Sequence, residues 1–547
     1  MDESAISEYD KFAYPSAVYL QTHPDRLATV ATLFGLQPSR IERARVLELG
    51  CGDGNNLITM ACTLPDSEFQ GFDLAVEPVR SGQETIAELG LKNVSLRQMN
   101  ILEMPGDIGV FDYIIVHGLY SWVPEPVREK ILAICREHLA HNGVAYISYN
   151  AYPGSHLRDL LRGMTLFHVR QFSEPPEQVR QARALLKFLA QGQSKTGIWQ
   201  DVLRHLFERL EKRQDAGFYH DDLSPAYRPL YFYEFVEAAG RYQLEYLAEA
   251  DVKDMLPGDL NEEGVRVLRK MENMNRIAHE QYMDFVVGRA FRQTLLCRQG
   301  RRQDQELKPE RVCNLLVAAD TVPVNPEANL SAPGMEEFKR GKSVITTSQP
   351  LLKSALAFLG QVWPRRLRFE ELLDKAGEMC SVSSPVRGAA REHAKACTPN
   401  AQEQPGGARP ELESDRRDLS DFLLRCFAVG FVDLHSYPSV FVTEISERPI
   451  ASPLARWQVR RGPNVSSFRH LPLKIEDPLG REVLRLLDGS RDRTALLKDL
   501  GETVKTGSMP IYYEGKSSVD LQKALEILPA QLDVSLASLV RLGLLVG

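Results

Sequence analysis

Between residues 45 and 150, short apolar runs alternate with segments that have the length and periodicity of helices. The apolar runs are "RVLELG", "EFQGFDL", "VSLRQMNI", "FDYIIVHG" and "GVAYISYN". A chain that alternates strands with helices in this way folds into α/β layers around a parallel sheet. Parallel strands point the same way, so the loops at their carboxyl ends lie along one edge. We therefore predict an α/β fold with its functional residues at that edge.

Two later segments extend this sheet. "YFYEFVEAAGRYQLEYLAEAD" predicts a helix followed by a strand, and "DFVVGRAFRQTLLCR" predicts one more strand. Between them and the first five strands the pattern is helical, with one apolar stripe. We predict a domain over residues 1–300 with a helical insertion at about 155–220, in position to cover the carboxyl edge. The stripe consists of Trp199, Val202, Leu203, Leu206 and Leu210.

The remaining chain predicts an α+β region in two parts. A stretch rich in Pro, Gly, Ser and Gln at 381–414 is the best candidate linker. The order of helix, short helix and longer helix in "PLLKSALAFLG…RFEELLDKA…LSDFLLRCFAVGFVDL" recurs in "PLGREVLRLLDG…DRTALLKDL…LDVSLASLVRLGLLVG". We predict a first winged-helix-like part over 301–400 and a second over 415–547. Winged helices bind DNA, dimerise or dock peptides, so this fold leaves their role open.

The first strand ends on the glycine cluster "LELGCGDGNN". A phosphate-binding P-loop would need the pattern G-x-x-x-x-G-K-[ST], and no such lysine follows. The dinucleotide fingerprint started at Gly50 would need a third glycine or alanine where Asn55 stands. What remains is an acid followed by alternate glycines: Glu48, Gly50, Gly52 and Gly54.

This spacing resembles the first motif of class I S-adenosylmethionine-dependent methyltransferases, which have a Rossmann-like sheet. The second strand ends on Asp73, nineteen residues after Gly54, where an acid accepts both ribose hydroxyls. The third leads into "MNIL", and Asn100 stands where such enzymes commonly carry Asp for the adenine amine; the Asn carbonyl is also an acceptor. The resemblance implies a cofactor site made by Glu48, Gly50, Cys51, Gly52, Gly54, Asn55, Asp73, Leu74, Asn100, Ile101, His117 and Gly118.

The fourth and fifth strands lead into loops rich in aromatic residues. "FDYIIVHGLYSWVP" lacks the [DN]-P-P-[YFW] motif of DNA adenine methyltransferases, and "SYNAYPGSH" follows the fifth strand. Aromatic rings attract methylammonium and sulfonium groups, and a lysine acceptor, with a pKa of about 10.4, must lose a proton before it attacks. Packing in the core or against the cofactor is the alternative role for each aromatic residue. The candidate catalytic residues are His117, Tyr120, Trp122, Tyr149, Asn150 and Tyr152.

Four longer stretches sharpen the resemblance: "YPSAVYLQTHPDRLATVATLFGL", "VHGLYSWVP", "SYNAYPGSHLRDLLRGM" and "DFVVGRAFRQTLLC". They are similar to bacterial protein-lysine methyltransferases that modify outer-membrane proteins. The resemblance implies a methyltransferase regulatory segment at about 221–300 and a C-terminal winged-helix region. It also places His117 and Gly118 under the transferred methyl group. Tyr14 or Tyr19 is then positioned to close the site, with a purely structural cap as the alternative.

Net charge, the N-terminal sequence and cysteine spacing argue against several classes of protein. The net charge of −7 argues against a general nucleic-acid or anionic-membrane binder. The N-terminal "MDESAISEYD" lacks the features of a signal peptide, and no apolar run approaches the roughly 18 residues of a membrane span. We therefore expect a cytoplasmic protein without membrane insertion. The eight cysteines never form a C-x-x-C pair, so we expect no metal.

The leading hypothesis is a protein-lysine N-methyltransferase that uses S-adenosylmethionine. Its partner would be a protein substrate, an outer-membrane protein by the resemblance, and the winged-helix region would dock that substrate or a second copy as a homodimer. A small-molecule methyltransferase is the alternative enzyme. A catalytically inert regulator that binds the cofactor or DNA is the third hypothesis, which the basic residues of "RWQVRRGPNVSSFRHLPLK" permit.

Overall fold

The computed structural model divides the chain into two compact units. The sheet unit comprises residues 1–17, 37–39 and 43–302, and the C-terminal unit comprises 18–36, 40–42 and 303–547. The first helix, α1 (Pro24–Leu33), therefore folds with the C-terminal unit, although sequence analysis assigns it to the first domain. The structure describes residues 14, 17–192, 197–258, 260–272, 275–301, 306–381, 410–507 and 521–547.

The sheet unit contains seven strands in the order β3-β2-β1-β4-β5-β7-β6. Strands β1 to β5 are parallel, and β7 is antiparallel to both β5 and β6. The predicted α/β sheet and its two later strands are thus confirmed. The order reverses between β1 and β4, which is where open α/β sheets bind ligands. The strands are β1 (Arg45–Leu49), β2 (Glu68–Asp73), β3 (Val94–Gln98), β4 (Phe111–Val116), β5 (Leu139–Asn150), β6 (Leu244–Glu249) and β7 (Phe291–Arg298).

Helices cover the sheet and close its core. Strands β1, β4 and β5 carry continuous apolar runs because a covered sheet buries side chains on both faces. Fully buried members of the core include Leu47, Leu49, Ile114, Val116, Ile131, Leu132 and Ile147. The helices that connect the first five strands are α2 (Asn55–Thr63), α3 (Val76–Leu89) and α4 (Glu125–His138).

The predicted helical insertion is confirmed and has an apolar core of its own. Leu203 and Leu206 are buried there as the stripe predicts, but Trp199 is exposed. The helices are α5 (Ser155–Val169), α6 (Pro175–Gln191), α7 (Ile198–Glu211) and α8 (Asp215–Phe218). The sheet unit ends with α9 (Phe232–Arg241), α10 (Glu262–Glu272) and α11 (Arg276–Val287).

The first part of the C-terminal unit has two small sheets. One has the order β12-β8-β13 and the other β11-β10-β9. Residues 382–409 of the predicted linker lie outside the described residues, whereas 410–414 begin a helix with Pro410 in its first turn, where proline is well tolerated. The elements are β8 (Leu316–Ala318), β9 (Val322–Pro323), β10 (Glu336–Arg340), β11 (Ser343–Thr347), α12 (Pro350–Val362), β12 (Leu367–Arg368), α13 (Phe369–Ser381), α14 (Pro410–Ala428) and β13 (Asp433–His435).

The second part packs helices around a separate apolar cluster. Strands β14 and β15 form an antiparallel hairpin ahead of its last three helices. The cluster includes Leu479, Val483, Leu484, Leu496, Leu500, Leu532 and Leu536. The elements are α15 (Pro453–Val459), β14 (Asn464–Ser466), β15 (Pro472–Lys474), α16 (Pro478–Leu486), α17 (Arg493–Lys505) and α18 (Leu521–Arg541).

A buried carboxylate explains why α1 folds with the C-terminal unit. Asp25 accepts hydrogen bonds from His435 Nδ1 at 2.6 Å, from the Ser436 N–H at 2.6 Å and from Ser436 Oγ at 2.9 Å. Arg366 lies 3.6 Å from the same carboxylate. Burial alone would raise the pKa of Asp25, but His435 and Arg366 hold it far below its usual range. Breaking this cluster would leave a buried unpaired charge, which is strongly destabilising.

Candidate active site

The glycine loop after β1 faces open space at one residue and packs tightly at another. Gly52 and Gly54 have φ angles of 55° and 70°, in the left-handed region that favours glycine. A Cβ at Gly54 would lie 2.4 Å from Leu96 Cδ1, so this glycine is needed for packing. A Cβ at Gly52 would meet no atom within 4 Å. The backbone at Gly52 therefore leaves room for a ligand to approach closely.

Glu48, at the end of β1, offers a buried acceptor beside this loop. The side chain is 3% exposed, and its Oε1 accepts a hydrogen bond from Asn56 Nδ2 at 2.8 Å. Its Oε2 is buried and has no hydrogen-bond partner in the described part of the chain. Burial, reinforced by Asp73 and Asp53, raises the pKa of Glu48 to about 8. A buried acceptor without a partner costs about 1–3 kcal/mol, so the site suits a ligand that brings a cationic donor.

Asp73, at the end of β2, holds the glycine loop in place. Its Oδ2 accepts the Gly52 N–H at 2.7 Å, and its Oδ1 accepts the Ala75 N–H at 2.9 Å. A carboxylate has about four acceptor positions, so one carboxylate can hold this loop and also accept from a diol such as a ribose. Sequence reasoning found the acid but missed its bond to Gly52, because the two residues lie on different strand ends. Leu74, which follows, accepts a hydrogen bond from Gln98 Nε2 through its carbonyl at 3.1 Å.

Asn100, after β3, already caps a turn. Its Oδ1 accepts the Leu102 N–H at 3.0 Å, and its Nδ2 donates to Glu103 Oε1 at 3.2 Å. An Asn that starts a 3-10 turn commonly plays this role, which the sequence analysis did not consider. The carbonyl oxygen keeps a second lone pair. Its bond to adenine therefore remains a prediction. Ile101, the next residue in the chain, is buried.

His117 and Gly118 form the loop after β4. The Gly118 N–H donates to Ser148 Oγ at 2.9 Å, and His117 Nδ1 lies 2.9 Å from the Tyr146 hydroxyl. Burial lowers the pKa of His117 to about 4, so the imidazole is neutral at pH 7. A neutral ring does not repel a cationic ligand. A Cβ at Gly118 would meet no atom within 4 Å, so this loop also borders open space.

Three candidate catalytic residues are buried, so that packing in the core is one role of each, and their catalytic role stays a prediction. Tyr120 and Tyr149 are buried with ring centroids 5.4 and 4.3 Å from Phe235, and burial raises the pKa of both hydroxyls. Asn150 is also buried, and its backbone N–H donates to Ser121 Oγ at 2.8 Å. Side chains alternate between the two faces of a strand, so Tyr149 points away from the face that carries Tyr146. This alternation, read from the sequence, could have shown that Tyr149 and Tyr146 lie on opposite faces of the sheet.

Trp122 and Tyr152 are half-buried near the edge. The Trp122 ring is 4.8 Å from the Tyr227 ring and faces Arg158 at 5.5 Å, so its cation–π contact is made within the protein. Tyr152 donates from its hydroxyl to Asp159 Oδ2 at 2.8 Å. Tyr152 is therefore hydrogen bonded to a carboxylate at the edge of the sheet, whereas Trp122 packs against Tyr227 and against Arg158 of the helical insertion.

Sequence reasoning missed the segment that crosses this edge. Leu230 donates its N–H to the Asn150 carbonyl at 3.0 Å and accepts from the Tyr152 N–H at 3.0 Å. This brings the Tyr231 ring to 5.2 Å from that of Tyr152. The signal was the aromatic density of "YRPLYFYEF", which sequence analysis used only to predict a helix.

The two candidate lid residues belong to different units. Tyr14 is in the sheet unit, where its hydroxyl lies 3.5 Å from Asp221 Oδ1 and its ring 5.8 Å from that of His220. Tyr19 is in the C-terminal unit, where its carbonyl accepts the Thr22 N–H at 2.9 Å. Tyr14 thus lies against the end of the helical insertion, and a lid role for either residue stays a prediction.

The described residues contain neither a metal-holding group nor a membrane-spanning helix. Among the described residues, no group of three or more His, Cys, Asp and Glu side chains is arranged to hold a metal ion. The seven cysteines in the described ranges are free. Within those ranges, no helix combines the length and apolarity needed to cross a membrane.

The fold and the site together define a class I S-adenosylmethionine-dependent methyltransferase, and comparisons with known proteins agree. Residues 46–143 match the family model "Methyltransferase domain", 214–298 match "Predicted methyltransferase regulatory domain", and 447–544 match "PKMT, C-terminal winged helix domain". The chain belongs to the family of methyltransferases that combines these three domains. Its cofactor is S-adenosylmethionine, which supplies an electrophilic methyl group when bound, and Glu48 Oε2 and the open space at Gly52 fit its amino-acid end.

Relatives extend the similarity along the whole chain. An uncharacterized protein of Rickettsia prowazekii is 28% identical over 95% of this chain and 91% of its own length. A second one is 35% identical over 44% of this chain and 96% of its own length. The structure of PKMT2 from Rickettsia typhi in complex with AdoHcy superposes with a TM-score of 0.83 at 26% identity, covering 98% of this chain and 100% of that one.

Proposed function

We propose that this enzyme is a protein-lysine N-methyltransferase. The observation that carries the proposal is the similarity to PKMT2 over 98% of the chain, together with the PKMT-type winged helix at 447–544. A small-molecule methyltransferase needs no second unit of this size to position its acceptor. An inert regulator that binds only DNA would leave Glu48 Oε2, a buried acceptor beside the glycine loop, without a ligand, whereas an inert protein that binds the cofactor is separated from the enzyme by the experiment below.

The edge offers what methyl transfer to an amine requires. The acceptor must be aligned with the sulfonium, must lose a proton and must be shielded from water. Asp159, which accepts from the Tyr152 hydroxyl, would attract a lysine ammonium to this edge. The neutral His117 lines the opening without adding positive charge. We assign the cofactor side to Glu48, Gly52, Asp73 and Gly118, and the other predicted cofactor residues, Asn100 among them, remain candidates.

The partners and the domain roles are part of this proposal. We assign residues 1–300 to catalysis, apart from α1, and the parts from 301 onward to docking of the protein substrate. The substrate would be an outer-membrane protein methylated in the cytoplasm before export. A second copy of the chain is the other occupant of the docking region.

Incubation with radiolabelled S-adenosylmethionine and a lysate of the source bacterium tests the proposal. We expect labelled protein bands whose acid hydrolysate contains methyl-lysine, and no label with the Gly52→Val variant. Label in small molecules alone would support the alternative enzyme. No label in either fraction, with cofactor binding intact, would support the inert regulator.

A further inference from the structure

A row of aromatic rings, half-buried at its inner end and exposed at its outer end, lies on the sheet unit outside the cofactor site. We call it the aromatic strip and define it by four residues: Tyr152, Tyr231, Phe285 and Tyr282. Consecutive ring centroids are 5.2, 6.0 and 5.9 Å apart. Phe285 and Tyr282 are 47% and 45% exposed. Contiguous exposed aromatic surface of this kind marks binding sites in soluble proteins, whereas single exposed apolar residues do not.

The strip is continuous with the catalytic edge. Tyr152 follows β5 and hydrogen bonds to the carboxylate of Asp159, and Tyr231 follows the segment that pairs with the end of β5. Phe291, which starts β7 just beyond α11, is 40% exposed with its ring 6.5 Å from that of His117. The strip therefore leads outward from the loop that contains Gly118.

The backbone beneath the strip is rigid. Gly154 donates its N–H to the Arg289 carbonyl at 2.9 Å, and a Cβ at Gly154 would lie 2.2 Å from the Gly288 carbonyl oxygen. The loop after β5 is thus packed directly on the loop after α11. A side chain larger than hydrogen at Gly154 would force the two loops apart.

Buried ion pairs fix α11 from its other face. Asp284 is fully buried and is 2.8 Å from Arg292 Nε and 2.6 Å from Arg289 Nε. Glu280, also buried, lies 3.1 Å from Arg292 Nη2. Because these contacts anchor the helix, the exposure of Tyr282 and Phe285 is a feature of the folded surface and does not come from a frayed end.

We propose that the aromatic strip binds an extended segment of the acceptor polypeptide, with apolar or aromatic side chains close to the lysine that is methylated. This inference rests on the proposed function. The length of the strip corresponds to roughly five residues of extended chain, at about 3.3 Å per residue. Its inner end carries the carboxylate of Asp159, which complements a lysine ammonium, and its outer part presents the exposed rings of Tyr282 and Phe285. Aromatic side chains in such positions commonly dominate binding energy.

Binding of two synthetic peptides to the full chain tests the strip. Each peptide is fluorescein-labelled, eleven residues long and has a central lysine; one has phenylalanines at alternate flanking positions and the other has serines there. In the presence of AdoHcy, the demethylated cofactor, we expect the wild type to bind the phenylalanine peptide about 10-fold more tightly than the serine peptide, as measured by fluorescence anisotropy. The double variant Tyr282→Ser/Phe285→Ser should lose that preference. The matched control, Phe167→Ser/Phe188→Ser, removes two rings that are 65% and 67% exposed on the insertion and should keep it.

Equal binding of the two peptides by the wild type would overturn the inference, as would an unchanged preference in the strip variant. If the wild type sediments as a dimer and the strip variant alone sediments as a monomer, a second copy occupies the surface, which also overturns the inference. Unchanged cofactor affinity in both variants verifies that they fold. If the wild type prefers the phenylalanine peptide but transfers no methyl group to lysine in the lysate, the proposed function is wrong. The aromatic strip then remains a peptide-binding surface.

Discussion

The two halves of the catalytic edge are built by different means. The cofactor half, after β1, β2 and β3, uses backbone atoms and short contacts, such as the Gly52 N–H on Asp73 at 2.7 Å. The acceptor half, after β4 and β5, uses side chains from distant parts of the chain, as when Tyr231 packs on Tyr152. A backbone site is specific for one fixed ligand, whereas a side-chain surface can change with the substrate. Variants in the two halves should therefore separate cofactor affinity from acceptor affinity.

The largest effect is expected from Gly52→Val. A branched side chain at φ 55° is strained and enters the open space that we assign to the cofactor, so we expect cofactor affinity to fall by about 100-fold or more. Titration calorimetry measures it. Gly90→Val is the control, because Gly90 has a φ of 67°, has open space around its Cβ position, and ends α3 away from the site. Equal losses in both variants would contradict a specific role for Gly52.

Asp73 variants should reduce cofactor affinity by a smaller factor. Asp73→Ala removes the acceptor for the ribose and for Gly52, and charged hydrogen bonds contribute about 1.5–3 kcal/mol each, so a loss of roughly 10- to 100-fold is expected. Asp73→Asn keeps one carbonyl acceptor for Gly52 and should lose less. The Michaelis constant for the protein acceptor should stay within about twofold at saturating cofactor. Unchanged cofactor affinity in Asp73→Ala would refute the assignment.

Glu48 should make cofactor binding depend on pH. Its pKa of about 8 in the free protein means that binding of an ammonium next to Oε2 favours the ionised carboxylate. Affinity should therefore rise as pH increases from 6 to 9, with proton release seen by calorimetry in two buffers. Because this folded-state pKa is raised, the carboxyl group contributes stability at low pH that is lost as pH rises through 8. Glu48→Gln should remove both dependences, and a variant that keeps them would contradict this role.

The smallest effects distinguish two tyrosines of the acceptor half. Tyr152→Phe removes the hydroxyl that donates to Asp159 and should raise the Michaelis constant for a protein acceptor about 3- to 5-fold, with cofactor affinity unchanged. Tyr149→Phe removes a core hydroxyl whose partner is Thr294 at 3.4 Å and should change activity less than twofold. Steady-state kinetics on the labelled acceptor checks both. A larger loss of activity in Tyr149→Phe than in Tyr152→Phe would support a catalytic role for the Tyr149 hydroxyl.

The same division explains what the sequence could predict. The seven strands, Glu48 and the glycine loop follow from local patterns, because each contact lies within a few residues of a strand end. The burial of Tyr120 and Tyr149 could not be predicted, because it depends on packing against Phe235, more than 80 residues away in the chain. Helix α1 was assigned to the wrong unit for the same reason, since its partner His435 lies 410 residues from Asp25. Periodicity carries no information about such pairs.

Methyl transfer from S-adenosylmethionine to lysine side chains of a protein can be observed at individual residues. The measurement is tandem mass spectrometry of lysate proteins after incubation with the purified enzyme and cofactor carrying a deuterated methyl group. We expect deuterated methyl groups on lysine side chains, with apolar or aromatic residues nearby in the sequence, and none with Gly52→Val. Deuterated methyl groups found only on other side chains or only on small molecules would contradict the proposed function.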